Sequence, residues 1–100
     1  MSQEVKRQDG NAVEWTVVPE ALIVTIVSPE QTLFSGSVDS ITVPGEGGRF
    51  EVLKGHAPII SSLTEGTVVC TGNEPFELAI SGGFIEVAHN HVSLCVEESV

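Results

Sequence analysis

From Leu22 onward, apolar residues come in short runs of four to seven, separated by Gly, Pro, Ser, Asn and Glu. Such spacing is the pattern of an all-β domain. The runs are Leu22 to Ser28, Gln31 to Gly36, Val38 to Val43, Arg49 to Leu53, Thr67 to Thr71, Phe76 to Ser81, Phe84 to Ala88 and Val92 to Val96. Alternation decides for strand over helix: Phe76, Leu78 and Ile80 share one parity, as do Val92, Leu94 and Val96, with polar or small residues between them. Val38, Ile41 and Val43 break parity once, and a β-bulge near Asp39-Ser40 would restore it. Hairpin turns are expected at Ser28-Pro29-Glu30-Gln31, Thr71-Gly72-Asn73-Glu74-Pro75, Ser81-Gly82-Gly83 and His89-Asn90-His91. No capped window carries apolar residues at helical spacing, so little or no helix is expected. One-sided strands must bury their apolar faces against one another. The expected fold is therefore all-β, an antiparallel β-sandwich or flattened barrel of two sheets with about ten short strands. Residues 1–20 are polar, punctuated by Gly10-Asn11, with a short strand at Glu14 to Val18 closed by Pro19. They read as an N-terminal extension to a single domain over residues 21–100.

Charge narrows the range of partners. The chain has 4 Lys+Arg against 14 Asp+Glu, a net charge of −10, and is 41% hydrophobic. No basic field is available to neutralise phosphates, which argues against nucleic acid and anionic lipid as partners and leaves protein. The longest apolar stretch, Ala21 to Val27, has seven residues, against roughly 20 for a membrane-spanning helix. No apolar run follows Lys6 and Arg7 closely enough for a secretory signal, and Cys70 and Cys95 lack CxxC spacing. Reduced thiols and a cytosolic setting are expected.

Catalytic motifs are scarce. His89 and His91 stand at i, i+2, so a small metalloenzyme using His56, His89 and His91 with Glu86 is one alternative. Against it, no ligand cluster lies nearby, and Asn90 between the two histidines favours a tight turn. Ser35-Gly36-Ser37 lacks a strand-to-helix elbow, and Pro44-Gly45-Glu46-Gly47-Gly48 lacks the Gly-Lys-Ser/Thr of a phosphate loop. No catalytic residue, metal or cofactor is assigned. The cations say more: beyond Lys6 and Arg7, the chain has only Arg49 and Lys54, flanking one strand. They are either solubilising charges, with Arg49 paired to Glu51, or a contact point for a complementary protein loop.

The order of segments adds a further reading. Val27-Ser28-Pro29-Glu30 leads to Leu33-Phe34-Ser35-Gly36, then to Val43-Pro44-Gly45-Glu46-Gly47-Gly48-Arg49-Phe50, to Gly55-His56-Ala57-Pro58 and to Ser81-Gly82-Gly83-Phe84. Over residues 22 to 97 this resembles the N-terminal domain of the epsilon subunit of F-type ATP synthases. The resemblance implies a β-sandwich of two five-stranded sheets that acts as a non-catalytic rotor part in the central stalk. It implies the gamma subunit and the c-ring as partners, and a peripheral place on the cytoplasmic side of the energy-coupling membrane. Glu46, Gly47, Gly48, Arg49 and Phe50 map to the ring-facing loop of that family. Lys54, Gly55, His56, Ala57, Pro58 and Ser28 map near the gamma and ring contacts. Arg49 stands where relatives commonly have an acidic or neutral residue, which implies a matching charge difference in the ring, and Glu51 and Lys54 replace a Gly and a Pro, which implies a shift in backbone shape and charge there. Many relatives continue into a two-helix C-terminal arm that in several bacteria binds ATP, whereas this sequence stops at Val100. Nucleotide binding through that arm is not expected. A free-standing adaptor on the same fold is the other alternative.

Overall fold

The computed structural model describes the backbone of residues 2–9 and 12–99 and the side chains of residues 19–99. Among the described residues there are ten strands and no helix. β1 (Ser2–Asp9) and β2 (Ala12–Pro19) form a two-stranded antiparallel ribbon with Ser2 opposite Pro19 and Asp9 opposite Ala12. The Gly10-Asn11 turn signal lies outside the described residues.

The other eight strands make one sheet that folds over on itself. They are β3 (Leu22–Val27), β4 (Thr32–Val38), β5 (Ser40–Gly45), β6 (Gly48–Leu53), β7 (Ile59–Leu63), β8 (Gly66–Thr71), β9 (Phe76–Ala88) and β10 (His91–Glu98). Their order is β4-β3-β10-β9-β7-β5-β6, with β8 pairing both β5 and β9. β9 joins the two layers: its first half, Phe76 to Ile80, pairs with β8, while Gly83 to Val87 pair with β7. One layer is β4-β3-β10-β9-β7 and the other is β9-β8-β5-β6. All pairings are antiparallel except that of β3 with β10, which is parallel.

Between the layers lies a single apolar core. Val24, Ile26, Ile41, Val43, Val52, Val68, Ile80, Ile85 and Leu94 are fully buried, most of them from strands whose alternate positions are more exposed, whereas β5 is buried along almost its whole length. Burying a side chain of this size contributes about 1.5–3 kcal/mol. Phe34 and Phe76 close one side of the core with ring centroids 4.9 Å apart. The buried polar side chain, Ser40, shares a 2.7 Å hydrogen bond with the Thr71 hydroxyl, which removes the cost of burying an unpaired oxygen.

Three sequence expectations are corrected here. Ser81-Gly82-Gly83 is not a hairpin, because β9 runs straight through it. The register against β10 jumps from Glu97 opposite Gly82 to Glu98 opposite Ile80, leaving Ser81 as a bulge residue. That extra residue switches the buried parity from Ile80 to Ile85 and Val87. Asp39-Ser40 is not a bulge within one strand but the corner where β4 ends, β5 begins and the chain changes layers. There the Asp39 amide donates to the Thr71 carbonyl at 2.7 Å. β7, finally, was not among the expected runs, since Ile59-Ile60-Ser61-Ser62-Leu63 does not alternate cleanly.

Strand directions define two ends of the sandwich. At the Glu46 end lie the turn 28–31, the β5–β6 turn at Glu46-Gly47, the β7–β8 connection and the finish of β10. At the Asn90 end lie the loop 54–58, the β9–β10 turn and the Asp39 corner.

Candidate partner-binding surface

The candidate residues fall into two groups at opposite ends. At the Glu46 end, Ser28 builds its own turn: its amide donates to the Gln31 carbonyl at 2.8 Å, and its hydroxyl accepts from the Glu30 and Gln31 amides at 3.3 and 3.2 Å. Gly45 stands opposite Gly48 and leaves Glu46 and Gly47 exposed at the tip of the β5–β6 hairpin. The Phe50 ring packs over Gly45, where an added Cβ would sit 2.8 Å from it. Arg49 is exposed, and its guanidinium donates to the Thr67 carbonyl at 2.8 Å, so the hydrogen bond reaches across to β8.

The second group lies at the other end of β6, roughly 17 Å away along six residues of strand. Lys54 and Gly55 are exposed, with Gly55 at φ +88°, a backbone conformation that disfavours a side chain. The Gly55 amide donates to Asn90 Oδ1 at 2.7 Å. His56 is a turn-building residue: its amide donates to the Leu53 carbonyl at 3.1 Å and its Nδ1–H to the Ala57 carbonyl at 2.8 Å. Ala57 and Pro58 are exposed and lead into β7.

One face of the β4-β3-β10-β9-β7 layer connects the two groups. Cross-strand register places Val27, Cys95, Phe84 and Ser62 in one outward row, and Thr25, Ser93, Glu86 and Ile60 in the next. Phe84 is 51% exposed and Ile60 76% exposed, and they sit diagonally across β9 and β7. A cleft of about 350 Å³ beside Phe84 is lined by Val27, Ser28, Pro29, Cys95 and Val96, and a second of about 390 Å³ by Pro58, Ile59, Ile60 and Val87. Ser28 and Pro58, far apart as loops, thus border the same apolar face. Phe84, Ile60 and Cys95 are absent from the sequence-based candidates. The signal for two of them was present in the doublets Phe84-Ile85 and Ile59-Ile60, since two adjacent apolar residues in a strand cannot both face inward.

Charge is distributed unevenly around that face. Glu30, Glu46, Glu65, Glu97 and Glu98 gather at the Glu46 end with Arg49, while Lys54, His56, His89 and His91 lie at the Asn90 end together with Asp39. The three histidines do not converge on a metal site with Glu86, and no group of three or more His, Cys, Asp or Glu suited to a metal is found among the described residues. Cys70 and Cys95 are free thiols, the first buried and the second exposed.

Residues 21–100, which hold β3 to β10, match the family described as the β-sandwich domain of the ATP synthase delta/epsilon chain. The chain belongs to that family of ATP synthase subunits. Epsilon chains are non-catalytic stalk subunits of the synthase. The ATP synthase epsilon chain of Chlorobaculum tepidum is 41% identical over 81 residues, covering 79% of this chain and 92% of that one. The epsilon chain of Magnetococcus marinus is 45% identical over 76 residues, but the match covers only 56% of its length. That of Leptospira borgpetersenii is 40% identical, with 61% of its length covered. Among solved structures, a chain of the Euglena gracilis mitochondrial ATP synthase, in a structure of its OSCP, F1 and c-ring, superposes with a TM-score of 0.74 at 26% identity. The match covers 93% of this chain and 57% of that one. A chain of the Tetrahymena thermophila mitochondrial ATP synthase central stalk and c-ring shares the fold at a TM-score of 0.69 and 15% identity. The epsilon-family profile begins at residue 21, so the β1–β2 ribbon stands outside it.

Proposed function

We propose that this protein works as an epsilon-type rotor subunit in the central stalk of a proton-translocating F-type ATP synthase. In that place it links gamma to the c-ring and helps couple proton flow to ATP synthesis carried out on other subunits. It sits peripherally on the cytoplasmic side of the energy-coupling membrane. Gamma packs on the outward face that carries Val27, Ile60, Phe84 and Cys95. The observation that carries this reading is the exposure of Phe84 and Ile60 on one sheet face of a chain that belongs to the family. A protein interface needs such an apolar centre, and here Ser28 borders it while Ser62, Ser93 and Glu86 stand among the apolar side chains as polar contact points. The Glu46-Gly47 tip, with Arg49 and Phe50 behind it, meets the ring. The Lys54–Pro58 loop contributes at the far edge of the gamma contact.

Co-elution with the cognate gamma subunit on a sizing column, at ordinary and at high salt, tests this reading. A one-to-one complex that survives high salt is expected, because burial of apolar area is not screened by ions. A complex lost in high salt would move the contact from the Phe84 face to the charged ends, and no complex at either salt would overturn the assignment in favour of an adaptor with another partner.

A further inference from the structure

Three segments converge on Asn90. Its carbonyl accepts from the Ile23 amide at 2.8 Å, its Oδ1 accepts from the Gly55 amide at 2.7 Å, and its Nδ2 donates to the Pro19 carbonyl at 2.7 Å. The partners fix the orientation of the side-chain amide, since a backbone N–H only donates and a proline carbonyl only accepts. His89 at φ 51° and Asn90 at φ 60° form the two-residue turn between Ala88 and His91, with both central residues left-handed. Glycine would satisfy that turn equally well. Only a side chain with an acceptor and a donor reaches both Gly55 and Pro19.

The Lys54–Pro58 loop depends on this bond. Its other hydrogen bonds, from the His56 amide to Leu53 and from the His56 ring to Ala57, stay within the loop or its own strand. The bond to Asn90 ties the loop to a different hairpin and, through Pro19, to the end of the β1–β2 ribbon. The loop leads directly into the cleft of Pro58, Ile59 and Ile60 at the edge of the apolar face. We propose that Asn90 is a positioning residue for partner docking: a two-armed latch that holds the Lys54–Pro58 loop and the exit of the N-terminal ribbon in one fixed arrangement beside the apolar face. This inference rests on the reading of that loop as part of the partner contact.

Two variants of the full chain test it. Asn90→Gly keeps the turn and removes both arms, whereas Asn90→Asp keeps the oxygen facing Gly55 and loses the donor facing Pro19. In Asn90→Gly, amide exchange at Gly55 is expected to accelerate about tenfold, with exchange at Leu94 unchanged. Association with the cognate gamma subunit weakens about three- to tenfold. Asn90→Asp restores the protection of Gly55 but only part of the association, because its second oxygen faces the Pro19 carbonyl without a proton to donate; a general loss of stability would not give that split. Unchanged exchange at Gly55 in Asn90→Gly overturns the latch, and so does a released Gly55 with undiminished association. The contact reading is judged separately with His56→Ala: full association there would overturn the role of the loop in docking, while the exchange at Gly55 still decides whether Asn90 holds it.

Discussion

Gly83 works through the side chain it lacks. Its φ is +146°, and a Cβ there would collide with the Cys95 carbonyl and lie 2.8 Å from Val96 Cα, both backbone atoms that cannot step aside. Gly83→Ala is expected to destabilise the domain by about 3 kcal/mol, through strain and lost β9–β10 pairing. Urea unfolding would show this as a lower midpoint at unchanged slope. The two thiols differ as sharply. Burial pushes the Cys70 thiol from 9.0 up to about 11, so the native state favours the neutral form. The sign follows: this stabilisation is complete below pH 9, where the unfolded thiol is also protonated, and is lost as pH rises toward 11. Two pH units correspond to about 2–3 kcal/mol. Unfolding experiments at pH 8 and 10.5 should show that loss in the natural chain, and a much smaller one in Cys70→Ala. A thiol reagent at neutral pH is expected to label Cys95 quickly and Cys70 only on unfolding.

Among the elements, the β5–β6 hairpin carries the clearest separation of fold from docking. Arg49 is exposed, and solvent holds the worth of its hydrogen bond to Thr67 to about 1 kcal/mol. Arg49→Glu is therefore expected to leave thermal unfolding nearly unchanged while weakening association with the c-ring, read from coupling in a reconstituted rotor. Normal coupling would remove Arg49 from the contact. Most strands were legible because their alternation is clean, as in Phe76–Ile80 and Val92–Val96, and because Ser28-Pro29 and His89-Asn90 hold the residues that turns require. The β9 bulge was not legible. A Gly-Gly pair signals a hairpin and a bulge equally, and only the β10 register decides between them. The turn residues of the candidate surface could be named from the sequence, but its apolar centre could not. Phe84 and Ile60 emerge as outward only after the pairing of β7, β9 and β10 fixes which parity faces the core.

At the scale of the whole molecule, the proposed contact divides the work of association between the apolar face and the charged ends. Phe84→Glu places a charge at the centre of that face without touching the core, so association with gamma is expected to fall at least tenfold with thermal stability within about 0.5 kcal/mol of the natural chain. Sizing-column co-elution and a melting curve together check both halves of that statement. In the proposed contact the acidic Glu46 end adds orientation, which salt weakens, whereas the apolar face adds persistence, which salt does not. The parallel pairing of β3 with β10 has a mechanical consequence. Because these two strands begin and finish the sandwich and run the same way side by side, Leu22 and Glu98 leave it from opposite ends. Tension applied between them loads the whole ladder from His91–Ile23 to Cys95–Val27 in shear, and the hydrogen bonds must give way together rather than unzip one by one. Pulled along that line, the sandwich is thereby built to yield last between its first and last strands.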